Sequence, residues 1–93
     1  MMVRWTDAAL DDLAAIIAYY LEVASPWTAE AVRQRILSAI NDLSNFPERV
    51  RKSERVPGAR ELVVPRLPYR VFVKIAEPDL IILNVVHTAR RFP

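Results

Sequence analysis

The sequence predicts an α+β fold of element order β-α-α-β-β-β, with a helical hairpin packed on one face of a small antiparallel sheet. Three observations lead there. Residues 7–45 carry apolar side chains at helical spacing, interrupted once by Ser25-Pro26. Residues 60–87 switch to a period of two. Proline-containing breaks divide that second stretch into three strands.

Val3 to Trp5 is a short first strand. Thr6 before Asp7 is an N-cap with an acid in the first turn behind it. Leu10, Leu13, Ile17, Tyr20 and Leu21 then form one apolar stripe. At Ser25-Pro26 a capping hydroxyl is followed by proline at the first helical position, where its missing N–H costs nothing. Val32, Ile36, Ala39, Ile40 and Leu43 form the second stripe, and Asn45-Phe46-Pro47 ends it. Helices joined this tightly fold back as a hairpin. Trp5 and Trp27 are expected as core or hairpin anchors.

Residues 47–59 have no period; they carry Arg49, Arg51, Lys52, Arg55 and the chain's single glycine, Gly58, and read as an exposed loop. Strands follow at 60–65, 69–76 and 80–87. In the middle one the odd positions Tyr69, Val71, Val73 and Ile75 face the helices, and Arg70, Phe72 and Lys74 face away. The turn length sets the register of the last strand. A three-residue turn, Glu77 to Asp79, places His87 across from Tyr69 and Asn84 on the Arg70 face. A two-residue turn, Pro78-Asp79, buries Asn84 instead. An unpartnered buried amide costs about 1–3 kcal/mol, which favours the three-residue turn and puts His87 at the rim of the core.

With 93 residues the chain has room for one domain, 1–93. Its apolar share of 53% is high for that length, which suits a domain that completes its core with a partner. The absence of cysteine removes disulfides and thiolate metal sites. The longest apolar run, Leu13 to Leu21, is far short of the ~20 residues that span a bilayer, and Met1 to Arg4 has no signal-peptide layout. A cytoplasmic protein with no membrane contact is expected.

Charge is unevenly distributed. Residues 1–46 hold three Arg/Lys and six Asp/Glu, whereas residues 47–93 hold ten and five. The second half therefore attracts phosphates or an acidic protein segment. On the outer face of the sheet Phe72, Leu80, Ile82 and Val86 form an apolar strip. Arg60, Arg70, Lys74, Arg90 and Arg91 edge it. Such a strip fits an amphipathic acidic peptide, and Arg60, Arg70, Phe72, Lys74, Ile82, Val86, Arg90 and Arg91 are the candidate partner-binding set. Glu61, beside Arg60, reads as a local exposed ion pair worth at most ~1 kcal/mol.

Several chemistries have no residues to carry them. One glycine cannot make a phosphate loop. One histidine without cysteine argues against a zinc site, and no metal or other cofactor is expected. No nucleophile elbow is present. The remaining catalytic option is phosphodiester cleavage by cationic electrostatics, with Arg60, Arg70 and His87 as candidates and Tyr69 or Glu61 as further proton carriers.

The chain resembles the RelE/ParE superfamily of toxins from type II toxin–antitoxin modules over nearly its whole length. The motifs are "WTDAALDDLAAIIAYYLEVAS", "SPWTAEAVRQRILSAINDLSNFPE", "GARELVVPRLPYRVFVKI" and "ILNVVHTARRFP". The last, with His-x-x-Arg-x-x-Pro, resembles the ParE-like, plasmid-stabilisation branch. The resemblance implies the fold given above and a cognate antitoxin whose acidic, partly disordered C-terminal segment wraps the toxin in a hetero-oligomer. It implies one of two targets: DNA gyrase, as in ParE-like members, or mRNA in the ribosomal A site, as in RelE-like members. Arg70 matches a family arginine, Lys52 and Arg60 stand in for other family basic residues, and no tyrosine follows His87. That last departure favours gyrase inhibition over RNA cleavage.

Overall fold

Thr6 lies between the first strand, β1 (Met2–Trp5), and the first helix, α1 (Asp7–Val23), and ties both to the end of the chain. Its hydroxyl accepts from the Ala9 N–H at 3.1 Å, which is the predicted N-cap. The same oxygen lies 2.9 Å and 3.0 Å from the carbonyls of Ile82 and Leu83. Ser25 repeats the capping for the second helix, α2 (Pro26–Asn45), accepting from the Thr28 N–H at 3.1 Å with proline in the first turn. The helix closes as the Phe46 N–H turns back to the carbonyls of Asp42 and Leu43, and a single 3-10 turn, Pro47–Arg49, follows. A computed structural model of the chain describes residues 1–89; Arg90 and Arg91, assigned above to the basic face, lie outside the described residues.

Strands β2 (Arg60–Val63), β3 (Tyr69–Ala76) and β4 (Asp79–His87) join β1 in one four-stranded sheet of order β1-β4-β3-β2. The β2–β3 and β3–β4 pairs are antiparallel, as expected, but β1 runs parallel to β4. Tight turns dictate direction only where they join neighbouring strands. β1 reaches the sheet through two helices, so no turn constrained it.

The β3–β4 register combines features of both sequence alternatives. The connection is the two-residue Glu77-Pro78, with a cis peptide, and it pairs Ala76 with Asp79 and Val73 with Ile82. Leu83 is then passed over, Phe72 pairs with Asn84, and Tyr69 meets His87 as the sequence predicts. This bulge inserts one residue and reverses the parity of the strand. Before it, Leu80 and Ile82 face the helices and are fully buried with Val71, Val73, Ile36 and Ile40. Ile82 and Leu80 therefore do not belong to the outer strip to which strict alternation assigned them.

Helix α1 is rotated relative to the predicted stripe. Ala9 and Ile16 are buried, with Leu13 and Tyr20 packed against the core, while Leu10 and Leu21 are half exposed. Apolar residues surround most of this helix, so periodicity alone does not set its phase. Asp12 contributes a constraint that hydropathy does not register. Its carboxylate accepts from the Val85 N–H at 2.9 Å and from the Asn84 side chain at 3.2 Å, which orients α1 over the part of β4 that β1 does not cover. Trp5 packs at the core margin as expected, but Trp27 is 84% exposed and is no anchor among the described residues.

Candidate functional site

The largest concentration of charge is built on Glu61, in β2 directly opposite Phe72. Its side chain is only 2% exposed. Arg51 Nη2 and Arg55 Nη1 donate to its Oε1 at 2.7 Å and 2.9 Å, and Arg70 Nη1 approaches the same oxygen at 3.4 Å. Ser53 Oγ donates to Oε2 at 2.8 Å. The arginines reach Glu61 because residues 51–53 run beside β2. The Glu61 N–H donates to the Arg51 carbonyl, the Ser53 N–H donates to the Ala59 carbonyl, and Lys52 bridges Arg60. Ser53 Oγ also accepts from the N–H groups of Arg55 and Val56, and Gly58 turns the chain at φ +80°. The segment is the largely exposed loop that the sequence predicts, pinned beside β2 by one bridge and latched by one carboxylate.

The predicted pairing of Glu61 with Arg60 is replaced by this cluster; Arg60 Nη1 donates to the Val50 carbonyl at 2.8 Å instead. Burial pushes the Glu61 carboxyl upward. The hydrogen bonds from Ser53 and Arg51 and the fields of Arg55 and Arg51 outweigh it, so the pKa lies below the ordinary value. Three guanidinium groups around one carboxylate leave a local surplus of positive charge. Arg51 and Arg55 carry that surplus to solvent, with 70% and 42% of their side chains exposed. Arg70 does not: its side chain is 15% exposed and its buried Nε has no hydrogen-bond partner among the described residues.

His87 pairs with Tyr69 at the start of β3, on the face of the sheet opposite Arg70. Its ring meets the Tyr69 ring edge-on, with centroids 5.7 Å apart, and its Nδ1 accepts from the Ala89 N–H at 3.1 Å. Together with Asp12, Tyr19 and Tyr69 it lines a cleft of about 270 Å³ between α1 and β4. The Tyr69 hydroxyl donates to that of Tyr20 at 3.4 Å. Burial, then that contact, pushes the Tyr69 phenol well above its ordinary pKa, so it does not ionise near neutrality.

The structure does not gather the predicted catalytic trio. Arg70 sits on the outer face, held by Glu61, and His87 sits at the helix-side rim. Arg60 lies opposite Val73, four residues along β3 from the Tyr69–His87 pair, or about 13 Å at strand spacing. The predicted binding set is also altered. Lys74 is exposed, but Phe72 and Val86 are 1% and 5% exposed, so with Ile82 turned inward the expected open apolar strip is closed. Alternation assigns a face; it does not say what lies over it. Among the described residues no three His, Cys, Asp or Glu side chains are grouped as a metal site, and no helix is long and apolar enough to cross a membrane.

The sequence reading missed the Glu61 cluster, although a signal was present. Glu61 shares its parity with Val63, and therefore its face with Arg70 and Phe72 once β2 pairs with β3. A lone acid on a buried strand face beside arginines is a candidate for a multiple ion pair.

Comparison with known proteins defines the class. Residues 3–92 match the family described as the ParE toxin of the type II toxin–antitoxin system parDE. The Y4kP protein of Sinorhizobium fredii is 36% identical over 91 residues, covering 98% of this chain and 92% of that protein. Toxin RelE2 of Caulobacter vibrioides is 36% identical over 88 residues, covering 95% of this chain and 96% of that toxin. A structure of the chromosomal ParDE system of P. aeruginosa superposes with a TM-score of 0.84 at 29% identity, over 94% of this chain and 95% of that one. The RelBE2 toxin–antitoxin complex of Mycobacterium tuberculosis gives 0.60 at 30% identity, over 92% and 95%. The fold and these relatives define a toxin of the RelE/ParE superfamily, and within it the chain belongs to the ParE toxin family of type II toxin–antitoxin systems.

Proposed function

We propose that this toxin arrests growth by binding and inhibiting DNA gyrase, and that a cognate antitoxin encoded beside it silences it. The observation that carries the choice of target is the separation of Arg60, Arg70 and His87: Arg70 lies on the opposite face of the sheet from His87, and Arg60 lies four residues along β3 from the Tyr69–His87 pair. Cutting RNA by general acid–base catalysis needs cations and a proton carrier converging on one phosphodiester. Here the half-buried Arg70 is held by an internal carboxylate, and the histidine lies on the opposite face of the sheet from it. Binding to a protein target needs no such convergence.

The antitoxin reading draws on the structural neighbours, which are toxin–antitoxin assemblies, and on the surplus charge around Glu61. An acidic, partly disordered C-terminal segment would find Arg51, Arg55 and Lys74 at the surface, with Arg90 and Arg91 as further candidates from the sequence.

The test is a supercoiling assay with purified toxin and gyrase, run beside a ribosome-bound mRNA cleavage assay. Inhibited supercoiling with intact transcripts supports the proposal. Normal supercoiling with cut transcripts would make the chain a ribosome-dependent endoribonuclease, the activity the resemblance to RelE-like members suggested. Growth arrest on induction, relieved by co-expressing the neighbouring reading frame, tests the antitoxin.

A further inference from the structure

The outer surface of the helical hairpin has no partner within the described residues. Leu10, Ala14, Ile17 and Leu21 recur at helical spacing along α1, with Leu10 and Leu21 49% and 50% exposed. At the hairpin end Val23 is 59% exposed, and Trp27 in the first turn of α2 is 84% exposed. Single exposed apolar residues need no explanation, but a tryptophan and three aliphatic side chains on one hairpin of so small a protein do. Tryptophan is also among the residues that most often dominate binding energy.

The surrounding charge selects the occupant. No lysine or arginine occurs between Trp5 and Val32, while Asp7, Asp11 and Glu22 run beside the stripe. A second copy of the chain is disfavoured. Parallel pairing of two α1 helices sets like charge against like, and antiparallel pairing brings Asp7 and Asp11 of one copy towards Glu22 of the other. Nucleic acid and anionic membranes are repelled for the same reason.

We infer that this stripe, from Leu10 through Leu21 to Trp27, docks an amphipathic helix of a protein partner whose apolar face is bordered by lysine and arginine. This rests on the antitoxin reading only for the identity of the chain that carries the helix; the chemistry of the docking comes from the surface itself. The partner would then meet the toxin twice with opposite charge: a cationic helix on α1, and an acidic segment on the arginines around Glu61. That order of charges makes binding in reversed orientation unfavourable, because each segment is repelled by the other's site.

The test uses two synthetic amphipathic helices with the same leucine stripe, one flanked by Lys and Arg and the other by Glu, added to the full chain. The cationic peptide should bind at least about tenfold more tightly and shift Trp27 emission to shorter wavelength, and Leu21→Lys or Trp27→Ala should each weaken it about tenfold. Replacing Asp11 and Glu22 together by Lys should reverse the preference between the peptides. Equal binding of both peptides, no binding at millimolar peptide, or a dimer of the chain that Leu21→Lys dissolves would each overturn the inference. Far-ultraviolet circular dichroism establishes that the variants fold. Failed peptide binding by a toxin whose antitoxin still rescues growth would sink this surface alone. Peptide binding without growth arrest would sink the toxic activity alone.

Discussion

The outer face of the sheet and the outer face of the helical hairpin invert what their compositions suggest. The sheet face carries arginines and a glutamate, yet its Glu61 and Phe72 are among the least exposed residues of the protein. The hairpin carries Leu10, Leu21, Val23 and Trp27, all of them half exposed or more. The difference lies in neighbours within the chain. Residues 51–56 fold beside β2 and bring cations to Glu61, whereas the described residues supply no layer over α1. A charged surface can be internally complete while a greasy one is left open, so composition alone is a poor guide to which face awaits a partner.

Substitutions can break or sharpen this contrast. The largest effect is expected at Phe72: Phe72→Ala should cost about 3–5 kcal/mol in urea unfolding, as for a fully enclosed aromatic side chain. Glu61→Ala comes next, at about 2–4 kcal/mol, because it strands the mostly buried Arg70 while Arg51 and Arg55 recover hydration. Asp12→Ala should cost about 1–2 kcal/mol by releasing the Val85 N–H from its acceptor. Trp27→Ser is expected to change stability by less than about 0.5 kcal/mol, despite replacing the bulkiest residue type with a small one. A large loss at Trp27 together with a small one at Phe72 would reverse the contrast.

Acid provides a further probe of the sheet face. Glu61 titrates lower when folded than when unfolded, so its stabilisation is complete above the ordinary carboxylate pKa of about 4.3 and is lost as pH falls through the depressed folded value. Stability measured against pH should decline across that window. Glu61→Gln should remove part of the decline, leaving a curve that starts lower and falls less steeply.

Much of the fold was legible in the sequence because local chemistry and tertiary structure agree there. Thr6 and Ser25 cap the two helices where the sequence places them, and Tyr69–Ala76 has its predicted bounds. The sequence also paired His87 with Tyr69 correctly, though the reasoning behind it was incomplete. A three-residue turn without a bulge and a two-residue turn with one give the same pairing at that end of the hairpin, and parity arguments see only the sum. The phase of α1 was hidden because the bond from Asp12 to a strand N–H, which orients it, leaves no mark in a hydropathy pattern. The candidate site was less legible. Arginines that look available in a sequence are consumed by an acid whose face becomes known only when its strand is paired.

The extra residue at Leu83 makes the lengths of two distant segments interdependent. A relative that lengthens the Glu77-Pro78 connection by one residue can delete Leu83 and still seat its equivalent of His87 on Tyr69; either change alone flips one end of the strand through the sheet. Insertions at the connection and deletions at the bulge are therefore expected to occur together across the family. An alignment that places gaps at only one of the two sites would misassign every inward and outward position between them.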